Sequence, residues 1–176
     1  MRLLSFIIVT CLTTITYAQD IGAWTKIGTA NWITAKGVTQ ASSGTGFLVS
    51  PTPYSDFTIT LEFWVDEEAN SGVFLRCSNP EVIDQTNAYE VNIYDKRPDQ
   101  KYRTGAIVDI ARPLTMINTA NQWNTYEITA KGKHLTIKLN DKITVDVENS
   151  KLKTGPIALQ YAGGIVKFRK VKIKEL

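Results

Sequence analysis

Two glutamates, Glu62 and Glu90, stand in segments where every second residue is apolar, and each shares its polar parity with groups suited to holding a sugar. Trp64 follows Glu62 in FTITLEFWV. Phe74 and Arg76 alternate in SGVFLR, and Glu90, Asn92 and Tyr94 alternate in YEVNIYD. Gln160 closes IALQ. A sugar ring stacks its C–H face on aromatic rings, and its hydroxyls take paired bonds from carboxylates, amides and guanidinium groups. Solvated strand faces ordinarily carry Lys, Thr and Glu, as Thr136, Lys138, Thr144 and Asp146 do. Trp64, Phe74 and Tyr94 are costly to leave on an open surface. The pattern predicts an aromatic-lined groove with a few fixed charges. An ordinary salt-bridged sheet surface under a loop would use the same residues.

Other constellations carry less. His134 is the single histidine and falls just after a turn, so no Ser–His pair and no zinc cluster can be assembled. Asp66, Glu67 and Glu68 read as a solvated loop rather than a calcium site. Lys167 to Lys174 alternates with apolar residues and reads as the wet face of an edge or outer strand. Cys77 reads as a structural thiol. The glycine spacing offers no phosphate cradle.

These residues need strands to position them. Phe57, Ile59, Leu61, Phe63 and Val65 share one face; so do Val91 and Ile93, then Leu135, Ile137 and Leu139, then Ile143, Val145 and Val147. This period of two marks half-buried antiparallel strands. Asn140-Asp141 reads as a two-residue hairpin loop, Lys131-Gly132-Lys133 as another reversal, and Ala162-Gly163-Gly164 as a break before the last strand. In that last run Val166 and Phe168 have one parity and Val171 and Ile173 the other, which predicts a β-bulge near Arg169-Lys170. Arg112 to Gln122 is expected to hold one short helical turn. Ten or more short strands give an all-β, single-domain sandwich of two antiparallel sheets.

Of the 176 residues, 1–18 have the parts of a secretory leader: Arg2, an apolar run from Leu3 to Ile15, and a small Ala18 before the cleavage point. The expected domain is 19–176, periplasmic or extracellular. The apolar run is too short for a bilayer of ~30 Å, so no transmembrane segment is expected. Lys+Arg 20 against Asp+Glu 17 is a weak excess that argues against a nucleic-acid partner and gives no sign of a polyanion. The oligomeric state is not encoded in any of these patterns.

In order along the chain, SDFTITLEFWV, NSGVFLR, AYEVNIYD, TGAI, QWNTYEI, LNDK and GPIALQ…VKFRKVKI resemble the former DUF1080 family, described as 3-keto-disaccharide hydrolase or 3-keto-glucoside lyase/hydratase. The resemblance runs from Trp24 to Leu176. It implies a concanavalin-like jelly roll and action on glycosides oxidised at C3. The polar positions of the family fall on Glu62, Arg76, Glu90, Asn92, Asp95 and Gln160, which adds Asp95 to the substrate-binding set. Many members read LQDHG where this chain has Leu159-Gln160-Tyr161-Ala162-Gly163, so the His is missing. Val108-Asp109 replaces the usual Tyr-Gly after GAI.

The implied chemistry is elimination. A C3 ketone acidifies the C2 proton because the carbanion is an enolate, so a carboxylate can remove it while an acid protonates the departing C1 oxygen. Hydration completes a net hydrolysis. Glu90 is expected as base and Glu62 as acid or sugar ligand, with the reverse nearly equivalent. Arg76 or a bound divalent cation would stabilise the enolate oxygen. Two alternatives stand beside this. One is a non-catalytic carbohydrate-binding module. The other is a conventional glycosidase, which needs two carboxyls about 5–5.5 Å or 6.5–9.5 Å apart.

Overall fold

The computed structural model describes residues 16–176. Most of the expected leader, including Cys11, therefore lies outside the described residues. Only its end is seen, as strand β1 (Thr16–Ala18). Twelve more strands follow: β2 (Thr25–Gly28), β3 (Ile33–Ala35), β4 (Val38–Ala41), β5 (Gly46–Val49), β6 (Phe57–Val65), β7 (Ser71–Leu75), β8 (Tyr89–Ile93), β9 (Trp123–Lys131), β10 (His134–Leu139), β11 (Lys142–Glu148), β12 (Ala158–Tyr161) and β13 (Val166–Glu175). They form two antiparallel sheets. One runs β11-β10-β9-β6-β13-β4-β3, with β1 also on β13; the other runs β2-β5-β12-β7-β8. The chain is an all-β jelly-roll sandwich.

The alternation explains the layers. In β6 the odd residues Phe57 to Val65 are buried, while Thr58, Thr60, Glu62 and Trp64 are half-buried on the far side. They meet Val73, Leu75, Tyr89, Val91, Ile93 and Leu159 of the smaller sheet in one core. Each such side chain contributes about 1.5–3 kcal/mol by leaving water. Tyr126 of β9 crosses this core. Its hydroxyl donates to the Asn92 carbonyl at 2.7 Å and accepts from the Gly105 amide at 2.9 Å. A fully buried phenol needs both partners, and here they fix the strand that carries Glu90.

Several local expectations are met. Asn140 and Asp141 both have positive φ (50° and 64°), the type I′ geometry that suits a two-residue hairpin. In β13 the register against β6 shifts between Arg169 and Lys172, with Lys170 at φ 53°, so the extra residue keeps Val171 and Ile173 inward. Two expectations are corrected. Arg112 to Gln122 contains no helical turn; the short 3₁₀ turns are at Ile21–Ala23 and Gln100–Tyr102. Ile143 is not inward but 44% exposed, because a second bulge between β10 and β11 pairs it with Lys138 and turns Thr144 into the core.

Candidate functional site

The smaller sheet gathers five of the expected site residues on the face turned away from the main core. Phe74 of β7 is the register partner of both Glu90 (β8) and Ala158 (β12). Gly72 opposes Asn92, and Gln160 opposes Phe47 of β5. Tyr94 continues the parity of Glu90 and Asn92, half-buried, its amide donating to Thr104 Oγ1 at 2.8 Å. Gly72 matters because a Cβ there would lie 3.2 Å from the Phe74 ring and 3.5 Å from Glu90 Cγ. Its missing side chain lets both neighbours lean over β7.

The edge of β8 is closed by residues 105–108. Asn92 N donates to Ala106 O, Gly105 N to Asn92 O and Val108 N to Glu90 O, each at 3.0–3.1 Å. Beside this added edge Glu90 is 7% exposed, and its carboxyl makes no hydrogen bond among the described residues. Burial pushes its pKa up to about 7; the positive Arg97 pulls against that rise and Asp109 adds to it. The same sheet face holds two buried amide oxygens without partners, Asn92 Oδ1 two residues along β8 and Gln160 Oε1 on β12, two strands away. Asn92 is anchored at its other end, where Nδ2 donates to Tyr102 O at 2.5 Å. Unpaired buried acceptors are costly and are suited to receiving hydroxyl donors from a bound molecule.

Phe74 differs from the expectation. It is 1% exposed and packs edge-on against Phe47, with ring centroids 5.2 Å apart, in a small second core with Val49, Cys77, Ala88 and Ala158. It supports the face rather than offering a stacking surface. Phe47, half-buried, is the accessible ring of the pair. The alternation did not single out Phe47, Gly72, Arg97 or Asp109. The Val108-Asp109 departure after GAI was the one available signal.

The remaining expected residues are elsewhere. Glu62 and Trp64 are on the outer face of the larger sheet. Glu62 accepts from Arg169 Nε at 2.6 Å and Lys170 Nζ at 2.7 Å, and the Lys170 bond in particular holds its carboxyl below the usual range despite partial burial. Stacked sheets lie about 10 Å apart and both carboxyls point outward, so Glu62 and Glu90 exceed either glycosidase spacing. Their expected pairing is corrected.

Arg76 is 1% exposed and all five donors are spent: Nε and Nη2 on Ser55 O, Nη1 on Gly132 O and Leu152 O, and Nη2 on Asp56 Oδ1 at 3.2 Å. It is a staple between loops, not a substrate ligand. Asp95 is likewise occupied, accepting from the Thr119 amide and hydroxyl and the Ala120 amide and facing Arg103 at 3.5 Å. Among the described residues no three His, Cys, Asp or Glu side chains converge. One carboxylate and two amide oxygens near Glu90 are a thin donor set for a divalent cation, so no step below runs through one.

A family model described as 3-keto-alpha-glucoside-1,2-lyase-like domain matches residues 15–174, and the chain belongs to that family. Among solved structures, a Parabacteroides distasonis protein provisionally described as a glycosyl hydrolase is 22% identical, with 82% of this chain and 90% of that one covered at a TM-score of 0.74. The carbohydrate-binding module CBM66 of Bacillus subtilis is also 22% identical, over 85% and 94%, with a TM-score of 0.68. The VIP36 exoplasmic/lumenal domain, in a Ca2+- and mannose-bound form, is 12% identical over 90% and 87%, with a TM-score of 0.63. No curated protein matches. Among the described residues no helix is long and apolar enough to cross a membrane.

Proposed function

We propose that the protein is an exported carbohydrate-active enzyme that cleaves 3-keto-glycosides by elimination, with Glu90 as the reacting carboxyl. The observation that carries this is a buried, unbonded carboxyl whose pKa is pushed up to about 7, on a sheet face that also holds two unsatisfied amide oxygens. A base poised near neutrality is what removal of an activated C2 proton requires. Family membership supports the substrate class.

With Glu62 on the far face, Glu90 serves both steps. Its carboxylate takes the C2 proton, the C–H electrons form the enolate, and the C3 oxygen carries the charge. The enolate then collapses: C1=C2 forms, the C1–O bond breaks, and the carboxylic acid returns its proton to the departing oxygen. Water adds across the new double bond to complete the hydrolysis. Arg97, the cation whose field acts on Glu90, takes over the enolate-stabilising role expected of Arg76. Asn92 Oδ1 and Gln160 Oε1 accept substrate hydroxyls, and Phe47 and Tyr94 offer ring surface.

The test is product analysis on a 3-keto-disaccharide and its unoxidised parent, with Glu90→Gln and a chelator-treated sample alongside. Cleavage of the keto sugar alone, lost in Glu90→Gln and kept with chelator, is expected. Turnover of the parent would sink keto specificity. One observation favours a second reading: the site holds a single buried carboxyl and its fold is shared with CBM66. A non-catalytic sugar-binding module would show saturable binding with no turnover of either sugar.

A further inference from the structure

The outer face of the larger sheet carries a feature that the weak net charge conceals. Strand β13 is flanked along its length by β6 and, over Val166–Arg169, by β4; over Lys172–Lys174 its second neighbour is β1, the end of the expected leader. Its outward residues run along an open face of the larger sheet. Lys167, Arg169, Lys170, Lys172 and Lys174 make this stripe, and the carboxylate that answers it is Glu62, which holds Arg169 and Lys170. Lys167, Lys172 and Lys174 have no carboxylate partner among the described residues. Their cross-strand neighbours are uncharged: Gln40 and Trp64 for Lys167, Thr60 and Ala18 for Lys172, Thr58 and Thr16 for Lys174.

The upper half of the stripe is also held in place. Lys167 Nζ sits 4.2 Å from the centre of the Trp64 ring, and Arg169 Cζ sits 3.8 Å from that of Trp123. The two indoles are register partners. Cation–π contacts of this kind are worth about 0.5–1 kcal/mol at exposed sites and leave the charge free to act outward. Residues of one parity recur about 6.6 Å apart along a strand, and the bulge between Arg169 and Lys172 interrupts that spacing once, so the cations form two short runs, Lys167/Arg169 and Lys172/Lys174, of one stripe.

We propose that this face binds an acidic polysaccharide lying along β13, separately from the Glu90 site. A flexible linear polyanion can follow a stripe of cations with one bend in it, and the paired indoles offer C–H stacking surface at one end. A duplex fits less well, because the flat sheet presents neither helix nor ribbon to enter a groove about 12 Å wide.

The test is affinity for polygalacturonate at 50 mM salt, with neutral dextran, duplex DNA and phosphatidylserine vesicles as comparison ligands. Binding to polygalacturonate is expected, weakened tenfold or more at 500 mM salt and again by the Lys172→Glu/Lys174→Glu pair. The Lys172→Gln/Lys174→Gln pair should show a smaller loss, with thermal melts reporting the fold of both. The charge-matched Lys151→Glu/Lys153→Glu pair and Glu90→Gln should bind as the parent does, which keeps this result separate from the fate of the Glu90 reading. No binding, equal binding to dextran, DNA or vesicles, or an equal loss in the Lys151/Lys153 pair would overturn the proposal.

Discussion

Glu90 sits two residues before Asn92 on a strand whose alternate residues are core, and that placement was readable from YEVNI alone. Its environment was not, because the added edge at 105–108 and the missing side chain at Gly72 depend on register between distant segments. The pKa near 7 has two consequences. As a base, Glu90 must be ionised, so the rate should rise with pH through about 7 and level off above it. For stability the sign is opposite: the folded state holds this proton more tightly than the unfolded chain, so stability present at pH 4 is lost as pH rises through 7. The shift from 4.5 to about 7 amounts to a loss on the order of 3 kcal/mol. Denaturant midpoints at pH 5 and 8 should therefore converge in Glu90→Gln; an unchanged difference would remove Glu90 as its source. Arg76 shows the limit of parity. Its alternation was right for a polar face, but positive φ (53°) ends the strand there and turns the guanidinium onto loop carbonyls. Arg76→Met should cost about 3–5 kcal/mol, since it strands the carbonyls of Ser55, Gly132 and Leu152 at about 1–3 kcal/mol each, and Lys should not rescue it. Calorimetry would check both.

At the scale of elements, the last strand and the Asn140-Asp141 hairpin were legible because their signals are local: a parity switch and a two-residue turn. The β10–β11 bulge was not, since nothing within ITVDV announces that Thr144 turns inward; its burial goes with a loop, where Leu114 N donates to Thr144 O at 2.7 Å. The chain from Arg112 to Gln122 is irregular rather than helical for a similar reason. Arg103 and Asn124 side chains take up its carbonyls at Ile117 and Thr119. Two predictions belong here. Asp141→Gly removes the cost of a side chain at φ 64° and should stabilise by about 0.5–1 kcal/mol, read from the urea midpoint. Deleting Lys170 would remove the bulge and leave Val166, Phe168, Val171 and Ile173 in one unbroken alternation against β6, so a cooperative thermal transition should survive; loss of that transition would contradict the reading of Lys170 as one extra residue.

For the whole molecule, a sandwich has two outer faces, and a sequence period of two cannot tell them apart. That is why Glu62 and Glu90 looked like one pair: each is polar between apolar neighbours, yet they lie on different sheets. The separation gives the faces different chemistry, a buried carboxyl on one and a basic stripe on the other. The central claim is that Glu90 breaks a C2–H bond before the glycosidic bond. The most direct measurement is cleavage of a 3-keto-disaccharide in D2O, with the C2 position of the product followed by NMR against an enzyme-free sample. The account predicts deuterium at C2 of the released keto sugar at the rate of cleavage, and neither exchange nor cleavage with Glu90→Gln. Cleavage that leaves the C2 proton in place would contradict it.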